Sequence, residues 1–228
     1  MPTNVKFELK LGLATREAFG KALVELGRSN PNVVALDADL SKSTFSASFA
    51  KEFPDRFFEC GIAEANMAAI AAGLASAGKI PFASSFSAFM LNKGFEQLRV
   101  TAAFPRVNVK VVGTHSGISI GEDGPSQMSV EDLSLACSLA GFTVISPADE
   151  WSMMGLMKQA AEMNGPVFIR AGRVKAHMIY GPEQKFEIGK AITLIPGTDV
   201  TLMATGILVA ESIRAAEMLE TEGISARH

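Results

Sequence analysis

The chain has 228 residues, of which 48% are hydrophobic and 20% charged, and its formal net charge at pH 7 is -3. This length favours one large domain, or one domain plus part of a second. The balanced charge provides no basic stripe for nucleic acid, and no run of about 18 apolar residues could span a bilayer. The sequence also has no signal-peptide pattern and only two cysteines, so we expect a cytoplasmic protein whose partners are neither nucleic acids nor membranes.

Strand-like and helix-like segments alternate along the first 170 residues. Short apolar runs bounded by turn formers predict strands, and apolar residues at helical spacing predict helices. The predicted strands are 33–36, 57–60, 80–84, 107–112, 142–146 and 167–170. The predicted helices are 15–27, one that begins near Glu64, 88–102, 130–140 and 149–163. This alternation predicts an α/β fold with a mostly parallel sheet and helices on both faces.

A second and incomplete α/β unit is predicted toward the end of the chain. Residues 171–186 lose their periodicity and carry turn formers, which is typical of a linker. Strands at 191–195 and 200–204 and a helix at 208–220 follow, and another parallel strand is expected to begin after Gly223. We therefore divide the chain into a complete α/β domain, 1–180, and a second part, 181–228, that contains the end of the linker and the start of another domain.

Glu64 stands at the start of the strongly apolar helical segment 67–75. Such a carboxylate either caps the helix or hydrogen-bonds a buried polar group, for example a ring nitrogen of a heterocycle. Phe86 and Phe89 follow the strand at 80–84 and are three residues apart, so they share a helix face. They either pack in the core or stack on a flat ring.

Two charged residues lie where α/β proteins commonly bind ligands. Arg16 is in the first turn of the first predicted helix, where the helix dipole disfavours a cation. It is either a solvated surface arginine or one that faces an anionic ligand. Asp39 follows the strand at 33–36, and the carboxyl ends of parallel strands border ligand sites.

The segment 113–128 is a long irregular connection with four glycines and one proline, and such loops are commonly functional. Its His115 is either an ordinary loop histidine or a donor to a substrate hydroxyl or phosphate. Residues 122–127 combine two carboxylates, a hydroxyl and an amide, which suits a polyhydroxylated ligand or a turn network. The GxSxG pattern at 117–121 lacks the following helix that a nucleophile elbow requires.

The two cysteines, Cys60 and Cys137, lack the spacing of zinc ligands. We expect both to be buried small apolar residues.

Four sequence blocks, in this order and spacing, resemble the carboxyl-terminal half of transketolases. The blocks are Asp-Leu-Ser-Lys-Ser-Thr-Phe at 39–45, Gly-Ile-Ala-Glu-Ala-Asn-Met at 61–67, Ser-Ser-Phe-Ser-Ala-Phe at 84–89 and Gly-Glu-Asp-Gly-Pro-Ser-Gln-Met at 121–128. The resemblance covers essentially the whole chain. It makes 1–180 similar to the pyrimidine-binding domain of the family and the residues from 186 onward similar to the start of its carboxyl-terminal domain.

The resemblance implies a thiamine diphosphate site. Glu64 would hydrogen-bond the aminopyrimidine and promote its imino tautomer, so that the amino group of the cofactor deprotonates the thiazolium carbon. Phe86 and Phe89 would form the aromatic pocket around the pyrimidine, and Asp39 would lie near the thiazolium. The cofactor would carry the difficult chemistry, and these side chains would orient and tune it.

The resemblance also implies a sugar-phosphate site. The phosphate-binding positions would be Arg16, Ser43, His115 and Arg173. Asp123 would contact substrate hydroxyls, and the implied catalytic set is Glu64, His115 and Gln127. Many members have histidine in place of Gln127, which can hydrogen-bond a donor hydroxyl but cannot act as a general acid or base. Lys93 stands where many members have arginine.

In the family, the diphosphate and Mg or another divalent cation are held by an amino-terminal domain with a Gly-Asp-Gly motif, which this chain lacks. We therefore expect no metal ligands here. The expected partner is an amino-terminal transketolase subunit with the diphosphate-binding domain, joined in a dimer or heterotetramer.

With that partner, the chain would transfer a two-carbon ketol unit between a ketose phosphate and an aldose; without it, the chain would be inactive. Two alternatives stay open from the sequence. One is a 1-deoxyxylulose-phosphate-synthase-like enzyme or a 2-oxo acid dehydrogenase β subunit, and the other is a non-catalytic assembly module.

Overall fold

A computed structural model describes residues 7–228, so residues 1–6 of the predicted first domain lie outside the described part. The strands are β1 Leu11–Ala14, β2 Val33–Asp37, β3 Phe57–Glu59, β4 Ile80–Phe86, β5 Lys110–Thr114, β6 Thr143–Ile145, β7 Val167–Arg170, β8 Lys175–His177, β9 Val200–Thr201 and β10 Ala226–Arg227. The α-helices are α1 Thr15–Ser29, α2 Ser41–Thr44, α3 Ala47–Glu52, α4 Glu64–Ser76, α5 Ser87–Gln97, α6 Asp132–Ser138, α7 Glu150–Glu162 and α8 Leu208–Thr221.

Six strands form one parallel sheet in the order β3-β2-β4-β5-β7-β6. Every residue of β2, Val-Val-Ala-Leu-Asp, is buried, as expected for a central strand covered on both faces. Helices α4, α5 and α6 contribute to the core on one face, and α1 and α7 to the core on the other. The predicted fold class, an α/β fold with a parallel sheet between two helical layers, is confirmed.

The strand order positions a ligand site. After β3 the chain returns across β2 to form β4, so β2 and β4 are neighbours whose connections leave in opposite directions. A crevice outside the carboxyl ends of the strands forms at such a reversal. Asp37 and Ser84 are register partners at this point, and Phe86 ends β4 just beyond them.

Several local predictions were wrong. The predicted helix 88–102 is divided, because α5 ends at Gln97 and Leu98–Ala103 is a π-helix, whose wider turn the apolar spacing does not encode. The hydroxyl-rich segment 40–45, for which no helix was predicted, contains the short helix α2. The predicted linker contains β8, which pairs antiparallel with β1. That pairing joins segments about 160 residues apart, so no local pattern indicates it.

The second unit agrees with the prediction only in part. Residues 191–195 are not a strand; instead Ile195 exchanges backbone hydrogen bonds with His228, at 3.0 and 2.8 Å, and the Leu194 N–H donates to the same His228 carbonyl oxygen at 2.7 Å. The predicted helix is present as α8. Strand β10 pairs parallel with β9, in agreement with the parallel strand expected after Gly223.

The two cysteines differ in exposure. Cys60 is half-buried whereas Cys137 is exposed, so the expectation of a buried residue was wrong for Cys137.

Among residues 7–228, no helix has both the length and the apolarity needed to cross a bilayer.

Lys110 is a fully buried lysine at the start of β5. Its ammonium donates to the carbonyl oxygens of Met163 and Gly165 at 2.9 and 2.8 Å. Burial lowers the pKa of Lys110 from 10.5 to about 8, since removal of the charged form from water is unfavourable. Lys110 therefore couples the stability of the sheet to pH.

We predict that the native chain gains stability relative to Lys110→Met as the pH rises from 8 toward 10.5. In this window the unfolded state binds the lysine proton and the folded state does not, so the free energy of unfolding rises with pH. The gain should approach at most about 1.4 kcal/mol per pH unit. Urea unfolding of both proteins across this range measures it. Parallel pH profiles for the two proteins would contradict the assignment.

Candidate functional site

Side chains from several connections meet at the carboxyl edge of the sheet. They form two groups, which we call the Glu64 cluster and the arginine cluster. The Glu64 cluster contains Glu64, Phe86, Phe89 and Lys93; the arginine cluster contains Arg16, His115 and Arg173. The two are joined where the rings of Phe86 and His115 stack, with centroids 3.8 Å apart.

Glu64 is the first residue of α4, and its side chain is only 2% exposed. Within the described residues, the hydrogen bonds to its carboxylate come from Lys93, whose Nζ lies 3.3 Å from Oε1 and 3.4 Å from Oε2. The carboxylate thus does not cap its own helix. Helix α5 packs closely here, because a Cβ at Gly94 would lie 3.5 Å from the Glu64 carbonyl oxygen. This close packing of α4 and α5 fixes the position of Glu64.

The aromatic pair lies beside this carboxylate. Phe86 and Phe89 are stacked, with centroids 5.5 Å apart and planes inclined by 15°. Phe86 is buried whereas Phe89 is half-buried, and the Lys93 ammonium lies 4.6 Å from the centroid of Phe89. Phe86 is therefore a core residue that also lines the site, and Phe89 offers part of its surface to a ligand.

Arg16 is half-buried and contacts the other connections of this edge. Its Nη1 donates to the Ser43 carbonyl oxygen at 2.9 Å and lies 2.9 Å from His115 Nε2. Its Nε is buried without a hydrogen-bond partner among residues 7–228. Of the two interpretations from the sequence, the solvated surface arginine was wrong. An anionic ligand would satisfy the unpaired Nε–H.

The contacts of His115 define its tautomer. A guanidinium can only donate, so Nε2 must accept from Arg16, and the ring proton lies on Nδ1, 2.9 Å from Thr114 Oγ1. Burial, followed by Arg16 and Arg173, lowers the pKa of His115 from 6.5 to about 3. The imidazole is therefore neutral at physiological pH.

Arg173 supplies the second guanidinium of the arginine cluster. It donates to the Ile120 carbonyl oxygen and to the Glu122 carboxylate, and its Nη1 lies 3.7 Å from Asp123 Oδ2. The pKa of Arg16 is lowered by burial and then by the charge of Arg173. Two cations that repel each other across a buried imidazole form a site suited to an anion such as phosphate.

The loop 113–128 carries the remaining predicted residues. Asp123 is exposed, and Gln127 is half-buried, with its Oε1 accepting from Ser126 Oγ at 2.6 Å. Within the described residues, neither side chain hydrogen-bonds the Glu64 cluster. Ser119 lies in the 3-10 turn Ile118–Ile120, which is not the strand-turn-helix setting of a nucleophile elbow.

Asp39 and His115 have strained backbones, with φ values of 63° and 56°. Non-glycine residues with such φ values are uncommon and concentrate at functional sites. Asp39 is exposed, and its backbone N–H donates to Glu59 Oε1 at 2.7 Å. Ser43 contributes its carbonyl oxygen through the contact with Arg16.

Sequence reasoning missed the anchor of the segment that carries Asp39 and Ser43. Asp37 is fully buried at the end of β2, and burial raises its pKa. Its carboxylate accepts from the Leu40 N–H at 2.7 Å and from the hydroxyls of Thr44, Ser46 and Ser84 at 2.7, 2.8 and 3.0 Å. An acid at the end of an otherwise apolar buried strand, followed by hydroxyl residues, was the available signal.

A buried ion pair that the sequence did not reveal holds the end of the loop 113–128. Asp132 opens α6 and accepts from Arg170 Nε at 2.8 Å and from Ser87 Oγ at 2.9 Å. Asp132 and Arg170 are 38 residues apart. Their pairing can be inferred only when β7 is known to lie beside β5.

Comparisons with known families agree with this geometry. The sequence profile "Transketolase, pyrimidine binding domain" matches residues 12–177. The profile "Transketolase, C-terminal domain" matches residues 189–227.

Individual relatives agree with the profiles. Over 213 residues the chain is 47% identical to a transketolase C-terminal section of Methanocaldococcus jannaschii, and it covers 67% of that protein. It is 42% identical to the transketolase of Rattus norvegicus over 230 residues, which are 100% of this chain but 37% of the rat protein. A solved structure, a split gene transketolase described as an inactive beta4 tetramer, is 49% identical with a TM-score of 0.87, covering 95% of this chain and 69% of that one.

We predict that the His115 imidazole stays neutral from about pH 5 to pH 8. Arg16→Met should raise its pKa because one nearby cation is lost, but not to the ordinary value, because burial remains the larger cause. Nitrogen chemical shifts of the imidazole, followed by NMR during a pH titration, measure both effects. Arg28→Met, on the same helix but paired with Glu52 at the surface, is the control and should leave His115 unchanged. Titration of native His115 near pH 6.5 would contradict the assigned hydrogen bond.

Proposed function

The chain belongs to the transketolase family, and we propose that it is the second subunit of a split transketolase, which transfers a two-carbon ketol unit between a ketose phosphate and an aldose. The observation that carries the proposal is the buried Glu64 carboxylate, which does not cap its own helix and is bonded by Lys93, whose ammonium also lies 4.6 Å from the centroid of Phe89. The adjoining arginine cluster supports it, since a sugar phosphate carries an anion at the end of the molecule away from its reacting carbon.

The residues of the Glu64 cluster fit the aminopyrimidine of thiamine diphosphate. A carboxylate that is 2% exposed needs a polar partner, and a ring nitrogen is a suitable one. Phe86 and Phe89 would line the ring, and Asp39 would lie near the thiazolium. When bound, thiamine diphosphate supplies the carbon nucleophile that accepts the ketol unit. Glu64 would hold a proton at the ring nitrogen, and the phenylalanines would orient the ring and exclude water.

The arginine cluster would bind the substrate. Arg16 and Arg173 would hold the phosphate, with the Ser43 segment and His115 completing the site. His115 and Gln127 would hydrogen-bond substrate oxygens, and Asp123 would contact hydroxyls. Because His115 is neutral, it would act as a hydrogen-bond partner rather than as a fixed positive charge.

We infer that the complete enzyme requires a second chain. Two relatives support this requirement, a transketolase C-terminal section and a split gene transketolase, to which the chain is 47% and 49% identical. In the family, the diphosphate and its Mg or other divalent cation are held by a domain with a Gly-Asp-Gly motif, which is not among residues 1–228. An amino-terminal subunit would provide that domain in a dimer or heterotetramer. The description of the split relative as an inactive tetramer of β chains supports inactivity of this chain alone. In this proposal residues 1–180 form the pyrimidine-binding domain, residues 181–228 begin the carboxyl-terminal domain, and the enzyme acts in the cytoplasm.

We predict ketol transfer when the chain is mixed with an amino-terminal transketolase subunit, thiamine diphosphate, Mg²⁺, a ketose phosphate and an aldose. Glu64→Gln should lower kcat roughly 10²- to 10⁴-fold, because an amide cannot exchange a proton with the ring nitrogen. Product formation by chromatography measures the effect.

The control for this experiment is Glu217→Gln, which changes an exposed acid on α8 and should leave kcat unchanged. Pyruvate consumption without ketol transfer would contradict the proposal in favour of the other thiamine enzymes. Equal activity of native protein and Glu64→Gln would instead indicate an assembly module.

We predict that Arg173→Met raises KM for the ketose phosphate about 10- to 100-fold, the loss expected for one charge-assisted hydrogen bond to phosphate. KM for the same ketose without its phosphate should change little, and Arg173→Lys should retain part of the affinity because the charge remains. Steady-state kinetics with both substrates separates these cases. An equal rise in KM for the two ketoses would argue that Arg173 acts only by holding the loop through Glu122.

A further inference from the structure

Lys93 occupies the two surfaces that the proposed function assigns to the aminopyrimidine. Its ammonium is within 3.4 Å of both oxygens of Glu64 and lies 4.6 Å from the centroid of Phe89. A ring that hydrogen-bonds Glu64 and stacks on Phe89 would require the same space. Lys93 and the ring therefore compete for Glu64.

The pair is asymmetric in its burial. The side chain of Glu64 is 2% exposed, whereas that of Lys93 is 51% exposed. A buried carboxylate without a partner is strongly unfavourable, while a lysine on a flexible stem moves into water at little cost. Lys93 can therefore leave Glu64 easily, whereas Glu64 cannot be left unpaired.

Other charged groups around Glu64 have partners of their own. On the helix that carries Lys93, Glu96 pairs with Arg99 at 3.0 Å. The Asp37 carboxylate on β2 accepts hydrogen bonds from residues of its own connection and from Ser84. Strand β4 has no charged side chain. Within the described residues, Lys93 is thus the charged group that contacts the Glu64 carboxylate.

We propose that Lys93 is a displaceable counter-ion, which pairs with the Glu64 carboxylate until the aminopyrimidine replaces it. This inference rests on the proposed function, because the ligand that displaces Lys93 is the ring of thiamine diphosphate. Lys93 is a positioning residue: it acts through Glu64 and leaves the site before the reaction.

The proposal determines how a substitution at position 93 should change the binding of the ring. In the native chain the ring must displace the Lys93 ammonium from the Glu64 oxygens. A neutral side chain at position 93 leaves no ammonium to displace, so the ring should bind more tightly. Lys93→Arg should retain the competition, because a guanidinium can donate to the same oxygens.

The experiment measures by calorimetry how tightly thiamine diphosphate and Mg²⁺ bind the complex with the amino-terminal subunit. Lys93→Met and Lys93→Gln should bind roughly 2- to 5-fold more tightly than native protein, the gain expected when one half-exposed ion pair need not be broken. Lys93→Arg should bind like native protein, because its guanidinium competes for the same oxygens.

Equal affinity of native protein, Lys93→Met and Lys93→Gln would overturn the proposal. Loss of binding in both neutral variants would also overturn it, because Lys93 would then be a ligand contact and not a competitor. If the native complex itself binds no thiamine diphosphate, the proposed function fails. If it binds and transfers ketol units, but the affinity is the same in every variant, only the role of Lys93 fails.

Discussion

The burial of the Glu64 carboxylate is the constraint on which the site depends. Removing a carboxylate from water costs several kcal/mol unless a charge or a hydrogen bond compensates it. Here the compensation comes from a side chain of the neighbouring helix, Lys93, and not from the first turn of α4. The alanine-rich helix α4 packs against α5 at this contact, where a Cβ at Gly94 would meet the Glu64 carbonyl oxygen at 3.5 Å, an ordinary contact distance. The packing of two helices thus determines the chemistry available at the edge of the sheet.

A second buried carboxylate organises the neighbouring connection. Asp37 gathers donors from β4 and from the segment after β2, and so fixes a backbone that is strained at Asp39. Such strain persists only where surrounding contacts over-determine the conformation. The same segment presents the Ser43 carbonyl oxygen to Arg16. The position of Arg16 therefore depends on a hydrogen-bond network at the sheet, although Arg16 belongs to a different element.

Features with a local signal could be predicted from the sequence, and features that depend on distant pairing could not. The strand Val167–Arg170 was predicted to the residue, because an apolar run between turn formers has few other interpretations. The pairing of β1 with β8 was missed because its strands are short and far apart in the chain. The sequence did show side chains capable of catalysis or ligand binding at Glu64, Arg16 and His115. The partner of Glu64, Lys93, became evident only from the packing, since spacing does not show which side chains face each other across two elements.

The Glu64 cluster and the arginine cluster share one physical feature. In each, a group that would meet the ligand already has an internal partner: Glu64 is paired with Lys93, and Arg16 donates to the neutral ring of His115. Each pair provides an internal partner in the free chain, although Arg16 Nε still has none among residues 7–228. In the proposed function, ligand binding would replace the partner of Glu64 and would supply the one that Arg16 Nε lacks. The stacked rings of Phe86 and His115 join the two clusters.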